Sequence, residues 1–272
     1  MSNAIYYFTG TGNSLAVAKD IAQQLGDTVL LKIHNRQMDT DAAQYERVGF
    51  VFPVYYYKMP VFMESFIKKI KLRKDQYIFG VATHGGTRGL SLKGLRDLLS
   101  AMGYSLKGEF SVWMPGNHIA EYGALPAKFN NYLIKRSKKI TVKISMRIKS
   151  KDKTPSAGPR SFERIYLRSE KNREFIDAKR LSFASEDTGF TCNDSCNGCG
   201  ICSGVCPVQN IVIEKDKPNW NHQCERCMAC IQWCPQNSIH HEDKTLKRKR
   251  YTHSDIALKE IMRDKIDLYI DK

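Results

Sequence analysis

The chain has 272 residues, of which 42% are hydrophobic and 26% charged, and its formal net charge is +15. This length accommodates one large domain or two smaller ones, and the hydrophobic content excludes a wholly disordered chain. No run approaches the roughly 18 consecutive apolar residues of a membrane span, and residues 1–8 lack the basic start and apolar core of a signal peptide, so we expect a cytoplasmic protein.

The first 115 residues alternate between short apolar runs and stretches of helical periodicity. The predicted strands are 4–8, 29–33, 48–52, 77–83 and 110–114, and the predicted helices between them are 14–25, 61–70 and 90–102. This alternation is typical of βαβ units around a mostly parallel sheet. It predicts a doubly wound α/β domain over residues 1–150.

The segment that follows is the most basic part of the chain. Residues 128–186 contain 17 Lys and Arg against 6 Asp and Glu. Ile140, Ile144 and Ile148 fit a strand as well as a helix, and the order of elements favours a closing helix. Residues 151–160 contain two prolines and a glycine, which predicts a loop, and a basic helical segment follows from residue 161. We therefore assign residues 151–186 to a basic, largely helical linker.

The tail, residues 243–272, is also basic. Its apolar residues share one stripe of a helical wheel, namely Leu258, Ile261, Met262, Ile266 and Tyr269. Ser254 is a candidate N-cap for such a helix. The pattern predicts an amphipathic C-terminal helix.

All nine cysteines lie between residues 192 and 234. Two runs share the spacing C-x2-C-x2-C-x3-C-P: Cys196, Cys199, Cys202 and Cys206 in the first, and Cys224, Cys227, Cys230 and Cys234 in the second. A cluster of thiols without an export signal indicates a metal site rather than disulfides. The spacing is that of two 4Fe–4S clusters, in which the fourth cysteine of each run ligates the other cluster. Zinc stays the alternative, because it also takes four thiolates.

This spacing predicts one cluster on Cys196, Cys199, Cys202 and Cys234 and a second on Cys224, Cys227, Cys230 and Cys206. Residues 187–242 resemble the bacterial two-cluster ferredoxins, which implies a small α+β domain. Cys192 is left over, either as an incidental residue or as a redox-sensing thiol or alternative ligand.

Residues 8–14 lie between the first predicted strand and the first predicted helix. The hydroxyls of Thr9, Thr11 and Ser14, the Asn13 amide and backbone N–H groups can converge there on one phosphate, while Gly10 and Gly12 permit the turn. The loop lacks the lysine of a triphosphate-binding loop and the G-x-G-x-x-G of a dinucleotide site. It predicts a site for a single phosphate group.

The loop resembles the phosphate loop of flavodoxins, and the resemblance covers residues 1–150. It implies a flavodoxin-like sheet that binds FMN beside the first and third strands. It implies further contacts from the loops after the third and fourth strands, at Pro53, Val54, Tyr55, Tyr56, Thr83, His84, Gly85 and Gly86.

The sequence departs from the flavodoxin pattern in two respects. The loop after the fourth strand lacks a stacking tyrosine, which leaves Trp113 or Tyr122 as candidates for the second aromatic face. The domain is also basic where flavodoxins are usually acidic. For His84 we favour a hydrogen-bonded loop residue over a proton donor.

The whole chain resembles flavodoxin–ferredoxin fusion proteins, which are iron–sulfur flavoproteins of anaerobes. The resemblance implies an electron carrier with FMN and two 4Fe–4S clusters, and the basic surface favours acidic ferredoxins or flavodoxins as partners. We further expect the cysteine-rich domain to pack over the flavin-side edge of the sheet.

Two alternatives remain open. One is a flavin-dependent reductase of a quinone, a flavin or a nitro compound. The other is a redox-sensing regulator that binds nucleic acid through Lys247–Arg250, which we favour less because no nucleic-acid-binding fold is recognised. No acid–base pair identifies a catalytic residue. The sequence leaves open whether the protein is an enzyme and whether it forms a homodimer.

Overall fold

A parallel five-stranded sheet forms the centre of the N-terminal part. The computed structural model describes residues 2–34 and 40–262, and the backbone of 267–270. The parallel strands are β1 (Asn3–Tyr7), β2 (Thr28–Lys32), β3 (Arg47–Pro53), β4 (Tyr77–His84) and β5 (Leu106–Trp113), in the spatial order 2-1-3-4-5. This order is that of the flavodoxin-like α/β fold, whose switch point lies between β1 and β3.

Helices cover both faces of the sheet. They are α1 (Asn13–Leu25), α2 (Val61–Ile67), α3 (Ser91–Ala101) and α4 (Ala127–Lys149). Leu15 of α1 and Ile148 of α4 belong to one apolar cluster, whereas Met63 of α2 and Leu95 of α3 belong to another. Because both faces are covered, β1 and β4 are buried along their whole length, which explains their nearly continuous apolar sequences.

Packing against the sheet domain also decides the conformation of residues 140–148, whose sequence fits a strand as well as a helix. Ile144 and Ile148 are buried against α1, so their spacing is helical rather than strand-like. The loop 151–160 then runs beside β5, where the Thr154 N–H donates to the Lys107 carbonyl at 3.0 Å. Two helices follow, α5 (Ser161–Arg168) and α6 (Glu170–Ser182), as the sequence predicted for this region.

The cysteine-rich part consists of two small antiparallel ladders and two short helices. Strand β6 (Phe190–Cys192) pairs with β9 (Ile239–His241), and β7 (Ile211–Glu214) pairs with β8 (Lys217–Trp220). Helices α7 (Ile201–Val205) and α8 (Ala229–Gln232) each begin inside a cysteine run. The elements are α+β, as the resemblance to two-cluster ferredoxins implied.

The predicted amphipathic C-terminal helix is wrong. Among the residues of the predicted helix that the structure describes, Leu258–Ile261 form the short helix α9, and β10 (Asp267–Ile270) pairs antiparallel with β2 at the edge of the sheet. The burial of Ile261 holds the end of α9 against the sheet domain. Without β10, strand β2 would be an edge strand with unpaired backbone groups, and these favour pairing with a further strand. Ile266 lies outside the described residues.

The segment after the cysteines returns to the phosphate-loop end of α1. The His253 N–H donates to the Thr11 carbonyl at 2.9 Å, and the Lys19 ammonium lies 2.6 Å from the Glu260 carboxylate. Ile256 is buried in the cluster that contains α1. Before the cysteines, Arg180 of α6 donates to the Glu64 carboxylate at 2.6 Å, so the cysteine-rich part is anchored to the sheet domain on both sides along the chain. Within the described residues no helix combines the length and apolar character needed to cross a membrane.

Candidate functional site

A cleft opens at the carboxyl ends of β1, β3 and β4, the edge where doubly wound sheets bind ligands. It encloses about 1250 Å³ of space not filled by atoms, including its open mouth. The residues proposed from sequence line it, namely Thr9, Gly10, Thr11, Asn13, Ser14, Pro53, Val54, Tyr55, Tyr56, Thr83, His84, Gly85 and Gly86. The exception is Gly12, which does not line the cleft.

Gly12 instead shapes the turn into α1. Its φ of 98° lies in the left-handed region, and a Cβ there would meet His253 and Ile256 at 3.1 Å. The Gly12 N–H donates to the Thr9 hydroxyl at 3.2 Å, and the hydroxyls of Ser14 and Thr83 are 2.8 Å apart. The turn is thus held in a form that presents the N-terminus of α1 to the cleft, which suits an anion.

The Asn13 side chain has a different role from the one expected. Its Nδ2 donates to the Pro115 carbonyl at 2.9 Å, and its Oδ1 accepts from the Tyr251 hydroxyl at 2.7 Å. These bonds fix the loop against two distant segments. The contribution of Asn13 to an anion site is therefore that of its backbone N–H.

Three tyrosines from the loop after β3 line one side of the cleft. Tyr56 and Phe183 lie 6.0 Å apart edge to face, and Tyr57 stacks on Tyr166 at 5.4 Å. Tyr55 is the deepest of the three, and burial raises the pKa of its phenol well above the usual value. An aromatic wall of this kind suits a planar ring system.

Of the two candidates for a second aromatic face, Tyr122 lines the cleft and Trp113 does not. The Trp113 indole donates to the Gly85 carbonyl at 3.2 Å and contacts Phe129. Arg136 and Arg160 lie over its ring at 5.8 and 6.0 Å. Trp113 therefore supports the Gly85 loop from behind rather than facing a ligand.

His84 is neutral at pH 7. Burial lowers the pKa of its imidazole to about 4, and the nearby Arg160 and Arg88 act in the same direction. Its Nδ1 is buried without a hydrogen-bond partner among the described residues. His84 thus offers a neutral polar atom to the cleft.

The far wall of the cleft comes from the cysteine-rich part, which sequence reasoning did not assign to the site. Arg226, Cys227 and Met228 line it together with Asn117, His118 and Phe183. The Trp233 indole donates to the Gly10 carbonyl at 3.0 Å, and a Cβ on Gly10 would meet the Cys227 carbonyl at 2.6 Å. The cysteine-rich part therefore packs over the flavin-side edge of the sheet, which confirms that prediction.

Two further cavities lie within the cysteine-rich part. The first cavity, about 310 Å³, is bordered by Cys196, Cys199, Cys202 and Cys234. The second cavity, about 320 Å³, is bordered by Cys206, Cys224, Cys227 and Cys230. Each takes three cysteines from one run and the fourth from the other, which is the exchange that the spacing predicts.

Two kinds of metal site use four thiolates: a single zinc ion, held about 2.3 Å from each sulfur, and a 4Fe–4S cluster. In the described parts of the chain no three His, Cys, Asp or Glu side chains are arranged to hold a single metal ion.

The two cavities differ in how they treat a thiolate. In the second cavity burial, together with neighbouring cysteines, raises the pKa of Cys224 to about 12 and that of Cys227 and Cys230 well above the usual value. In the first cavity burial raises the pKa of Cys202 to about 12, whereas hydrogen bonds lower the pKa of Cys196 and Cys234. Ligation by four thiolates in the second cavity thus requires a positively charged core to offset the charge.

Cys192 lies next to the first cavity without bordering it. Its thiol contacts that of Cys196, and burial raises the pKa of Cys192 to about 11. A thiol with a raised pKa is a weak nucleophile at pH 7. The raised pKa disfavours a redox-sensing thiol, while the incidental role and that of an alternative ligand both stay predictions.

In comparisons with known proteins, residues 4–90 match a family model described as a flavodoxin domain. The curated polyferredoxin protein MvhB of Methanothermus fervidus is 34% identical over 65 residues, which cover 22% of this chain and only 16% of that protein.

Similar solved structures include an archaeal flavodoxin (16% identity, TM-score 0.36, covering 55% of this chain and 99% of that one). The match to an FMN complex of a flavoprotein from Lactobacillus acidophilus (12% identity, TM-score 0.33) covers 40% of this chain and 92% of the flavoprotein. The match to an azoreductase from Bacillus anthracis (10% identity, TM-score 0.38) covers 53% of this chain and 99% of the azoreductase. Residues 4–90 are thus similar to a flavodoxin domain, and the strand order 2-1-3-4-5 of the sheet is that of the flavodoxin-like α/β fold.

Proposed function

We propose that this chain is an electron-transfer iron–sulfur flavoprotein, with FMN in the cleft and a 4Fe–4S cluster in each cysteine cavity. One observation carries the proposal: Cys227 and Met228, from the second cysteine run, form a wall of the flavin cleft. A cluster held by Cys227 would thus adjoin a flavin held by residues 9–14.

The cleft fits a polar planar ligand. Three residues of its lining have buried polar atoms that lack a hydrogen bond among the described residues: Tyr55 (Oη), His84 (Nδ1) and Arg226 (Nε and the terminal nitrogen that is ion-paired with Glu186). Unpaired buried polar atoms are costly and therefore rare. The N-terminus of α1 supports a phosphate at one end, and the tyrosine loop supports a ring system at the other.

Three observations support the cluster assignment. Each cysteine cavity contains four thiols drawn from both runs, and the polyferredoxin similarity covers 65 residues, close to the length of the predicted ferredoxin-like domain. Backbone N–H groups also approach the sulfurs, as from Arg226 to Cys224 Sγ at 3.2 Å and from Asn210 to Cys206 Sγ at 3.3 Å. Such bonds stabilise thiolates.

The two cavities differ in position, and the difference suggests an order. The second cavity adjoins the cleft through Cys227, whereas Cys199 of the first cavity is exposed. We therefore propose that outside partners exchange electrons at the first cavity and that the second connects it to the flavin. FMN supplies chemistry with one or two electrons, while each cluster carries one.

The surface charge supports acidic protein partners. The 17 basic residues of the segment 128–186 lie on α4, α5, α6 and the loop that joins them, and most are exposed. A basic surface steers acidic ferredoxins or flavodoxins towards the protein.

The basic run Lys247–Arg250 contributes little to a nucleic-acid surface. Arg248 donates to the Ile119 carbonyl at 2.8 Å, and Arg250 donates to the carbonyls of Asn237 and Ile239 at 2.9 Å. Both arginines therefore hold backbone segments together. This leaves Lys247 and Lys249 for contacts with phosphate, too few for a binding surface that depends on neutralising many phosphates.

A reductase of a small acceptor is the second candidate function. The cleft opens to solvent beside Tyr122, whose ring is 44% exposed, so a small planar molecule has access to a bound flavin. Turnover of NAD(P)H with a quinone, free flavin or nitro compound would favour this candidate over an electron carrier.

Iron, sulfide and flavin content of the anaerobically purified chain tests the proposal. We expect about eight irons, about eight sulfides and one FMN per chain, because each cubane contains four of each. Zinc in place of iron would overturn the electron-transfer function. Iron without flavin would overturn the assignment of the cleft to FMN.

A further inference from the structure

The two cysteine runs share a backbone conformation but not their residues. Gly198 and Gly200 of the first run have φ of 70° and 73°. The equivalent positions of the second run hold Arg226 and Met228, at 53° and 62°. Non-glycine residues are strained in this left-handed region, and a long or bulky side chain there is unusual.

Both residues are buried at the cleft: Arg226 and Met228 line it, and they are only 7% and 2% exposed. The first run, which does not border the cleft, uses glycine at both positions. The second run therefore departs from glycine at positions where its loop borders the cleft.

From this we infer that Arg226 binds the isoalloxazine ring of the flavin and sets its reduction potential. The inference rests on the proposed FMN site. It gives the ligand loop of the second cavity a second role, which is to bring a cation to the flavin.

The surroundings of Arg226 leave donors of its guanidinium available to a ligand. One terminal nitrogen lies 2.5 Å from a Glu186 carboxylate oxygen, and the other lies 3.5 Å from Glu121. The Nε–H has no hydrogen-bond partner within the described parts of the chain. A buried guanidinium with an unpaired donor is unfavourable unless a ligand accepts from it.

The contacts of Arg226 place its side chain at the aromatic end of the cleft. The guanidinium lies 5.8 Å from the Phe183 ring, and Phe183 contacts Tyr56. The phosphate end, by contrast, is formed by the hydroxyls of residues 9–14. The group that Arg226 meets is therefore the ring system, whose pyrimidine oxygens accept hydrogen bonds.

The sign of the effect follows from charge. Reduction places negative charge on the pyrimidine side of the ring, so a fixed cation there stabilises the reduced form more than the oxidised form. Glu186 weakens this effect because it neutralises part of the charge. His118, which also lines the cleft, does not add charge because burial holds the pKa of its imidazole at about 4.

The test is a redox titration of the FMN-loaded holoprotein, together with FMN affinity from fluorescence quenching. Arg226→Gly restores the glycine of the first run, so the loop and its cluster should stay intact. We expect it to lower the midpoint potential of the flavin and to weaken FMN binding about tenfold, the size of one charge-assisted hydrogen bond. Glu186→Gln should shift the potential the opposite way, upward.

Arg168→Gln, at an exposed position at the end of α5, is the matched control and should change neither quantity. Unchanged potential and affinity in Arg226→Gly, with full iron content, would overturn the inference. If Arg226→Gly loses iron, Glu186→Gln decides alone, because Glu186 lies outside the ligand loop; an unchanged or lowered potential would then overturn it. Failure of the wild-type chain to bind FMN would instead overturn the proposed function.

Discussion

The first and second cavities are bordered by the same cysteine motif, yet they lie in different surroundings. The first is at the surface, with Cys199 exposed and glycines in its left-handed positions. The second lies between the cleft and the core of the cysteine-rich part, with Arg226 and Met228 in those positions. The motif thus determines where four thiols meet, and packing against the sheet domain determines what each cavity adjoins.

The largest expected effect separates the two cavities by their iron. Cys199→Ser and Cys227→Ser should each lose about four of the eight expected irons. Only Cys227→Ser should also weaken FMN binding, because Cys227 lines the cleft. Iron analysis and flavin fluorescence measure both. Cys192→Ser is the control and should keep both clusters; equal loss of flavin in the two serine variants would remove the distinction between the cavities.

The next effect tests the close approach of the second cavity to the phosphate loop. Gly10→Ala places a methyl group 2.6 Å from the Cys227 carbonyl, so the two loops must separate. We expect a loss of about 1–3 kcal/mol in the free energy of unfolding, as for overpacked sites, and weaker FMN binding.

Gly94→Ala serves as the control for Gly10→Ala. Gly94 lies inside α3 with no atom within 4 Å of an added Cβ, so alanine should stabilise the helix by up to about 1 kcal/mol. Thermal unfolding of both variants measures the contrast. A Gly10→Ala protein as stable as the wild type would show that the loops are not in firm contact.

A pH dependence tests whether the cleft beside the second cavity is dry. Burial lowers the pKa of His118 to about 4 in the folded protein, against an ordinary value near 6.5. The folded state therefore binds fewer protons than the unfolded state between these values, and stability falls as the pH drops below 6.5. The loss is about 1.4 kcal/mol per pH unit for one such histidine.

Unfolding temperatures at pH 6.5 and 5.5 show this effect directly. The decrease should be smaller in His118→Gln than in the wild type, because the variant has one titrating histidine fewer. An equal decrease in both proteins would mean that His118 is hydrated.

The smallest expected effect concerns the bond that joins the two parts at the phosphate loop. Trp233→Phe removes the indole N–H that donates to the Gly10 carbonyl but keeps an aromatic ring. We expect a loss of about 1 kcal/mol in stability, the usual value for one neutral hydrogen bond. Urea unfolding measures it, and a loss well above that value would mean that the indole ring contributes more than this bond.

The sequence predicted well whatever depends on near neighbours along the chain. The alternation of apolar runs located the five strands, and the residues around Thr9 and Tyr55 were placed at one edge of the sheet. The cysteine spacing predicted which four thiols share each cavity. In each case the positions of residues close together in the sequence determine how they are arranged in space.

The contacts that sequence did not predict join distant segments. Gly10 and Trp233 are 223 residues apart, and Arg226 reaches the cleft only because the cysteine-rich part packs over it. The glycine at position 10 was a partial indication of such a contact, because a residue without a side chain allows another backbone segment to come close. The tail was wrong because residues 267–270 pair with the edge of the sheet, a tertiary contact that overrides the helical stripe.

The attachment of the cysteine-rich part on both sides has a kinetic consequence. Before it, Arg180 of α6 donates to the Glu64 carboxylate at 2.6 Å, and after it the segment from Tyr251 to Ile261 returns to the sheet domain, so the part is not tethered as a swinging carrier is. With the proposed cofactors bound, transfer between them should therefore be independent of solvent viscosity. Exchange with outside partners, which must diffuse to the protein, should slow in proportion as glycerol is added.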